Sequence, residues 1–191
     1  ASNMDVWSVI NPLLRVAIYL TTFGVVGTIL FNLHFRKYLS VDVLAYCHRL
    51  IKRSSIVGFL VAAASFLSIA GNMGGNFLSA FDTFMLQLTL ESKAGIAALT
   101  SVLGFFLALA WGSTITRWRV SATILGAYVI LFSFVMLGHS SREGLVTQIL
   151  LIVHLIGIAF WLGSLLPFRH ICQSAEKYNL HIIAHRFGLF A

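Results

Sequence analysis

Apolar runs of about twenty residues, separated by short polar connections, constrain the fold of this chain more than any other feature of its sequence. An α-helix needs about twenty such residues to cross a hydrocarbon layer roughly 30 Å thick. Hydrophobic residues make up 59% of the chain and charged residues only 10%, whereas a soluble domain carries about 25% charged residues. A membrane β-barrel would instead show weaker, alternating segments of about ten residues. We therefore predict an all-α fold, a polytopic transmembrane helix bundle.

The runs predict five complete spans and the start of a sixth. Asn11 followed by Pro12 is typical of a helix start and marks the beginning of the first span. The predicted spans cover residues 12–33, 54–80, 93–112, 119–138 and 146–167, and the sixth begins near Ile182. Residues 34–53 are basic and amphipathic, and we expect them to lie along the membrane surface.

The two ends of the chain are interpreted separately from the spans. Residues 1–3 precede Met4 and are expected to be an artificial extension left by cloning. Residues 4–191 are predicted to form a single transmembrane domain. We expect this domain to be truncated on its C-terminal side, because the sixth apolar segment stops soon after it starts.

The basic residues are unevenly distributed between the two ends of the predicted bundle. The formal net charge is +7, but the charges flank apolar runs, so we expect contacts with the lipid bilayer and none with nucleic acid. Ten of the thirteen lysines and arginines lie in the first and third connections or after the fifth span: Arg36, Lys37, Arg49, Lys52, Arg53, Arg117, Arg119, Arg169, Lys177 and Arg186. The positive-inside rule then places the N-terminus outside the cytoplasm.

Two histidines lie at the end of one predicted span and within the next. His139 ends the fourth span, and His154 lies roughly 12 Å below the outer start of the fifth. Lipid offers a polar group no partner at that depth, so an ionisable residue there is a candidate functional residue. The alternative is a structural histidine bonded to a neighbouring helix. Gly157 lies near the face of His154, and Gly163 allows close helix approach, which predicts that this face lies in the bundle interior.

Three methionines, Met73, Met85 and Met136, map to the outer half of the predicted bundle. Met136 precedes His139 by three residues and so shares its helical face. Thioether and imidazole together suit copper, especially Cu(I), although a core or lipid-facing position is the commoner role of any single methionine. The candidate metal ligands are therefore His139, His154, Met136, Met73 and Met85. Four of the six acidic residues also map outside, where they favour a cation: Asp5, Asp82, Glu91 and Glu143.

Residues 68–77 combine two asparagines with three glycines at the outer end of the second predicted span. One interpretation is a close helix contact through Gly71 and Gly75. The other is a loosened helix end whose amides and carbonyls face a cavity, as in transporters, with Asn72 and Asn76 as its polar side chains. The sequence leaves both interpretations open.

A histidine motif connects the fourth predicted span to the fifth, in the stretch "GHSSREGLVTQILLIVHLIGIAFWLGSLLPF". It combines Gly138-His139, Val153-His154 and Trp161-Leu162-Gly163. This pattern resembles the copper resistance protein D family (CopD) of bacterial inner-membrane proteins, as do the first span and the closing "AHRFGLFA". The resemblance implies a multi-pass protein of the bacterial inner (plasma) membrane that confers copper resistance by passing copper from periplasm to cytoplasm. It carries over best to His139 and His154, and family members usually continue through further spans.

The resulting hypothesis is a path for Cu(I) or Cu(II) with two stations. In an antiparallel hairpin His139 and His154 differ in level by roughly 9–12 Å, whereas metal ligands lie about 2 Å from the metal, so one shared site is not expected.

We do not expect an enzyme, and a periplasmic copper chaperone is a candidate partner. Cys47 and Cys172, reduced on the cytoplasmic side, are candidate acceptors of exiting Cu(I), although an unengaged cysteine is commoner. The alternatives are a haem-binding electron-transfer protein with histidine ligands and a copper sensor or scaffold without flux.

Overall fold

Helices account for the regular structure of the chain. The computed structural model describes residues 6–112, 114, 116–138, 144–173 and 180–189, and these residues contain no strand. They form eight α-helices: α1 (Val6–Phe35), α2 (Val41–Gly74), α3 (Thr83–Glu91), α4 (Lys93–Ala108), α5 (Arg117–Leu137), α6 (Leu145–Gly163), α7 (Leu165–Gln173) and α8 (Leu180–Gly188). Two 3₁₀ helices, Arg36–Tyr38 and Leu78–Phe81, follow α1 and α2. The all-α prediction is confirmed.

Within the described ranges, four helical segments are long and apolar enough to cross a membrane: Val6–Tyr38, Val41–Gly74, Arg117–Leu137 and Leu145–Gln173. Helices α3 and α4 together form a fifth candidate, although they are bent by 86°. The bend falls at Ser92, whose hydroxyl accepts a hydrogen bond from the Gly95 N–H at 2.9 Å and caps the start of α4. With 16 residues, α4 is roughly 24 Å long. It corresponds to the third predicted span, and α3 lies across its end.

The basic stretch at 34–53 does not form a separate surface helix, which corrects the sequence prediction. Helix α2 begins at Val41, where the Ser40 hydroxyl accepts a hydrogen bond from the Val43 N–H at 3.2 Å, and it continues to Gly74. Its 34 residues extend roughly 51 Å, which is about 20 Å longer than the hydrocarbon layer. Because no helix-breaking residue interrupts residues 41–53, these charged turns belong to the same helix as the second span.

Two further helix ends differ from the prediction. Helix α1 already includes Val6, and Pro12 lies inside it rather than in its first turn. The second span ends at Gly74 and not near residue 80, because Gly75 adopts a left-handed conformation with a φ of 73°. Glycine has no Cβ to clash in that conformation, which commonly ends a helix.

Three of the spanning helices, α2, α5 and α6, contact α1, and α4 packs against α2 and α5. Helix α5 also reaches α6. Glycines allow the closest contacts: Gly27 of α1 meets Gly163 of α6, and Gly104 of α4 meets Gly126 of α5. A Cβ at any of these four positions would overlap the backbone of the partner helix. Small residues of this kind allow van der Waals packing to hold helices together in a membrane.

One end of the bundle, termed here the basic end, gathers the C-terminus of α1, the start of α2, and helices α7 and α8. An apolar cluster joins them, formed by Phe31, Phe35, Val43, Cys47, Ile171 and Ile183. Beside it, His170 Nε2 lies 3.0 Å from Asp42 Oδ2, and the imidazole stacks on Tyr46. The α4–α5 connection lies at the same end, since Arg119 shares a pocket with Lys52 of α2. The other end, where α2 meets α3, is termed the opposite end.

Candidate functional site

A cavity of about 610 Å³, termed here the polar cavity, opens between α1, α2, α4 and α5 towards the opposite end. Its lining includes nine residues with polar or sulfur-bearing side chains: Asn11, Arg15, Tyr19, Ser65, Ser68, Asn72, Met73, Ser101 and Ser133. Ser65 lies nine positions before the end of α2 at Gly74, which is roughly 14 Å along the helix axis. The cavity therefore extends from the opposite end towards the middle of the bundle.

Serine hydroxyls form the deep part of the polar cavity, and each bonds to the backbone of its own helix. Ser65 donates to the Val61 carbonyl at 2.9 Å, and Ser101 donates to the Ala98 carbonyl at 2.9 Å. Ser68 and Ser133 make the same kind of bond within their helices. Each hydroxyl proton is donated to a backbone carbonyl. These side chains can therefore offer a ligand only the lone pairs of their oxygen atoms, as acceptors.

Arg15 is the charged residue of the polar cavity wall. In the described part of the chain no acidic side chain forms a salt bridge with it. Coulomb repulsion grows in proportion to the charge of the approaching ion, so this wall disfavours a dication more strongly than a monovalent cation. The two predicted outer acids that the structure describes, Asp82 and Glu91, do not line the polar cavity. Asp82 caps α3 by accepting from the Met85 N–H at 3.0 Å. Asp5 and Glu143 lie outside the described residues.

Two of the three predicted methionine ligands lie together at the α2–α3 contact. Met73 lines the polar cavity and is 48% exposed, whereas Met85 is not part of the cavity lining. Thr89 Oγ1 lies 3.9 Å from Met73 Sδ and donates to the Met85 carbonyl at 2.8 Å. Met136 lies elsewhere, with its Sδ 3.7 Å from Thr100 Oγ1 between α4 and α5. It is not part of the cavity lining.

Only one of the two predicted histidine ligands can be located, since His139 lies outside the described residues. His154 is not part of the polar cavity lining. His154 is exposed on α6, on the same side as Gly157 and the 50%-exposed Trp161. The prediction that this face lies in the bundle interior is therefore wrong for the described helices. Nine positions separate His154 from Gly163, which turns the helix by roughly half a revolution, so the glycine packs on α1 while the histidine faces away.

The two asparagines of residues 68–77 have different roles. Asn72 lines the polar cavity, as the loosened-end interpretation requires. Asn76 is structural: its side chain accepts hydrogen bonds from the Ser79 N–H at 2.9 Å and the Ser79 hydroxyl at 3.0 Å. Gly71 packs against the indole of Trp7 rather than against a small residue of another helix. A Cβ at Gly75 would meet no atom within 4 Å, so the predicted small-residue contact through Gly71 and Gly75 is wrong, and the loosened-end interpretation fits Asn72 alone.

At the basic end, the cysteines do not combine with other ligands into a metal centre. Cys47 is fully buried in the apolar cluster of that end, whereas Cys172 is exposed. Across the described ranges, no group of three or more histidine, cysteine or acidic side chains is arranged to hold a metal ion. The contact between His170 and Asp42 joins residues 128 positions apart, and no sequence pattern indicated it.

A family model describing the N-terminal domain of copper resistance protein D-like proteins matches residues 4–149. The chain belongs to the copper resistance protein D-like family. The matched region includes every residue that lines the polar cavity, as well as the three methionines and His139, and it ends before His154. Family membership therefore bears on the cavity more directly than on the histidine of α6. No curated protein and no solved structure shows significant similarity to the chain.

Proposed function

We propose that this protein carries copper across the bacterial inner membrane, from the periplasm to the cytoplasm, and that the polar cavity admits the ion. The family membership supplies copper as the cargo. The cavity is the observation that carries the proposal, because it opens at the end opposite the basic end and extends towards mid-membrane. The positive-inside rule assigns the basic end to the cytoplasm, so the cavity opens to the periplasm.

Soft ligands at the mouth and weak ligands below it suit the passage of Cu(I). The thioethers of Met73 and Met85 prefer Cu(I) to harder ions. The serine oxygens deeper in the cavity bind a soft ion weakly, and a conducting path needs sites weak enough to release the ion onwards. Arg15 adds to the preference for a monovalent ion, because it repels Cu²⁺ twice as strongly as Cu⁺ at equal distance. Met136 and His139 form a second proposed group of ligands at the same end.

Copper flux into proteoliposomes tests the proposal. Purified protein is reconstituted around a trapped Cu(I) chelator, and we expect copper-dependent filling that protein-free liposomes do not show. Copper binding without flux would contradict transport and favour a sensor or a scaffold for a periplasmic copper chaperone. A Soret band in the absorption spectrum of the purified protein would contradict the copper path and favour haem-dependent electron transfer.

Met73→Leu is expected to weaken Cu(I) binding by about tenfold while changing Cu(II) binding by less than about twofold, because only the soft ligand is lost. Leucine has nearly the volume of methionine, so the fold should be retained. Competition with chelators specific for each oxidation state measures both affinities. Met136→Leu is the matched exchange away from the polar cavity. If only Met136→Leu weakened Cu(I) binding, the first copper site would instead lie at the α4–α5 contact.

His154→Ala is expected to lower copper flux by about tenfold if the outward face of α6 forms a station on the path. Val153→Ala is the matched control, since Val153 is its exposed neighbour on the same helix. Both variants are compared with the unmodified protein in the flux assay, at equal reconstituted amounts. Unchanged flux in His154→Ala would remove this histidine from the path and leave the polar cavity as the proposed route.

A further inference from the structure

A second pocket, termed here the basic pocket, lies at the basic end between α2 and the α4–α5 connection. Its volume is about 450 Å³. The residues that define its chemistry are His48, Lys52, Trp111, Gly112, Trp118 and Arg119. It lies at the other end of the bundle from the polar cavity, and the copper path has no use for two cations at this position.

The charges of the basic pocket are of one sign. Lys52 and Arg119 both line it, and no acidic side chain does. Among the described residues neither of them forms a salt bridge; the acid–base contact found there joins His170 to Asp42. Two cations that converge without a carboxylate repel each other, and an anion between them would turn this repulsion into two attractive contacts.

Arg119 is positioned by its neighbours rather than left to move freely. Its guanidinium lies over Gly112, so close that a Cβ at residue 112 would overlap it. The guanidinium carbon also lies 5.4 Å from the centre of the Trp118 ring, within the range of a cation–π contact. A guanidinium held in this way presents a planar pair of N–H donors, which match the oxygens of a phosphate group.

His48 lines the basic pocket and carries a polar atom left unpaired by the described residues. Its Nδ1 is buried and has no hydrogen-bond partner among the described residues. Buried polar atoms normally have a partner, because an unpaired one loses its hydration without compensation. His48 and Lys52 are four residues apart on α2 and therefore share a face of the helix. His48 and Lys52 therefore lie side by side in the wall of the basic pocket.

Trp118 indicates which source of phosphate is available here. It lies at the start of α5 and is 63% exposed, whereas Trp111, before it in the chain, is buried in the core. Tryptophan is enriched where a helix leaves the hydrocarbon layer and meets the lipid headgroups. Basic pockets between helices at this level bind the headgroups of anionic lipids. We propose that the basic pocket binds the phosphate group of an anionic phospholipid from the adjacent leaflet.

The test compares two double variants of the full chain that lose the same charge. Lys52→Gln with Arg119→Gln removes both cations of the basic pocket. Arg53→Gln with Arg117→Gln removes two exposed cations one and two positions away that do not line it. Thermal unfolding in neutral detergent is followed during titration with phosphatidylglycerol or with phosphatidylcholine, and circular dichroism checks that each variant is folded.

We expect the unmodified protein and the control variant to bind phosphatidylglycerol roughly tenfold more tightly than phosphatidylcholine, and the pocket variant to lose this preference. Gly112→Ala keeps every charge but displaces the guanidinium, so it should weaken the preference as well. An equal loss of preference in both double variants would overturn the proposal, since surface charge alone would then explain binding. Retained preference in the pocket variant would also overturn it. Stabilisation by inorganic phosphate equal to that by phosphatidylglycerol would overturn the lipid as the source of the phosphate.

Discussion

Gly163→Ala is expected to destabilise the folded bundle by ~1–3 kcal/mol, which is the usual cost of forcing an extra carbon into a closely packed contact. The added Cβ would overlap the Phe23 carbonyl oxygen and the Cα of Gly27 on α1. Both obstacles are backbone atoms, so no side-chain rotation can relieve the overlap and the helices must separate. Reversible unfolding in mixed micelles, measured by circular dichroism, gives the change in the free energy of unfolding.

Gly157→Ala is the matched control for this prediction. It makes the same exchange on the same helix, but at a position where an added Cβ meets no atom within 4 Å. Alanine is favoured over glycine inside a helix by about 0.5–1 kcal/mol, so this variant should be neutral or slightly more stable. Equal destabilisation by both exchanges would contradict the α1–α6 contact.

The double variant Gly27→Ala with Gly163→Ala gives a second, independent check of the same contact. Either exchange alone should already push α1 and α6 apart, because each added carbon overlaps the facing backbone. The second added carbon then enters a gap that has been opened. The combined loss of stability should therefore be smaller than the sum of the two single losses, as for residues in contact.

The sequence was sufficient for the five complete spans, the third of them bent, because hydropathy reports which residues lie in lipid. It was less reliable for helix ends, because a helix does not stop where the hydrocarbon layer stops. Val41–Gly74 continues through its charged turns since no residue there breaks it, and its far end depends on the positive φ of Gly75. Pro12 marked a helix start in the sequence, yet the helix continues on its N-terminal side.

The polar cavity could not be predicted because its walls come from four different helices. Ser65 and Ser101, from α2 and α4, lie within long apolar runs, and only the packing directs them to one space. The outward position of His154, in contrast, was within reach of the sequence. Gly163 was recognised as a contact residue, and an offset of nine positions on a helix places the histidine on the opposite side.

Ser65→Phe is expected to reduce copper flux by about tenfold or more, because it fills the deep part of the polar cavity, where a narrow path is most easily closed. Ser65 is only partly buried and faces open space, so the larger ring can enter the cavity without displacing the backbone. Ser65→Ala is the first control. It removes the hydroxyl but leaves the path open, and it should retain most of the flux if no single weak ligand is essential.

Leu99→Phe is the second control, since it adds a ring to α4 at a nearby depth but on a side that is already exposed. It separates closure of the polar cavity from a general effect of added bulk on the bundle. Normal flux in Ser65→Phe, with normal folding, would show that copper crosses elsewhere. The outward face of α6 with His154 would then be the route to examine, and the polar cavity would no longer account for the function of the family in this chain. Loss of flux in Ser65→Phe alone, with both controls active, is the result that a path through the polar cavity requires.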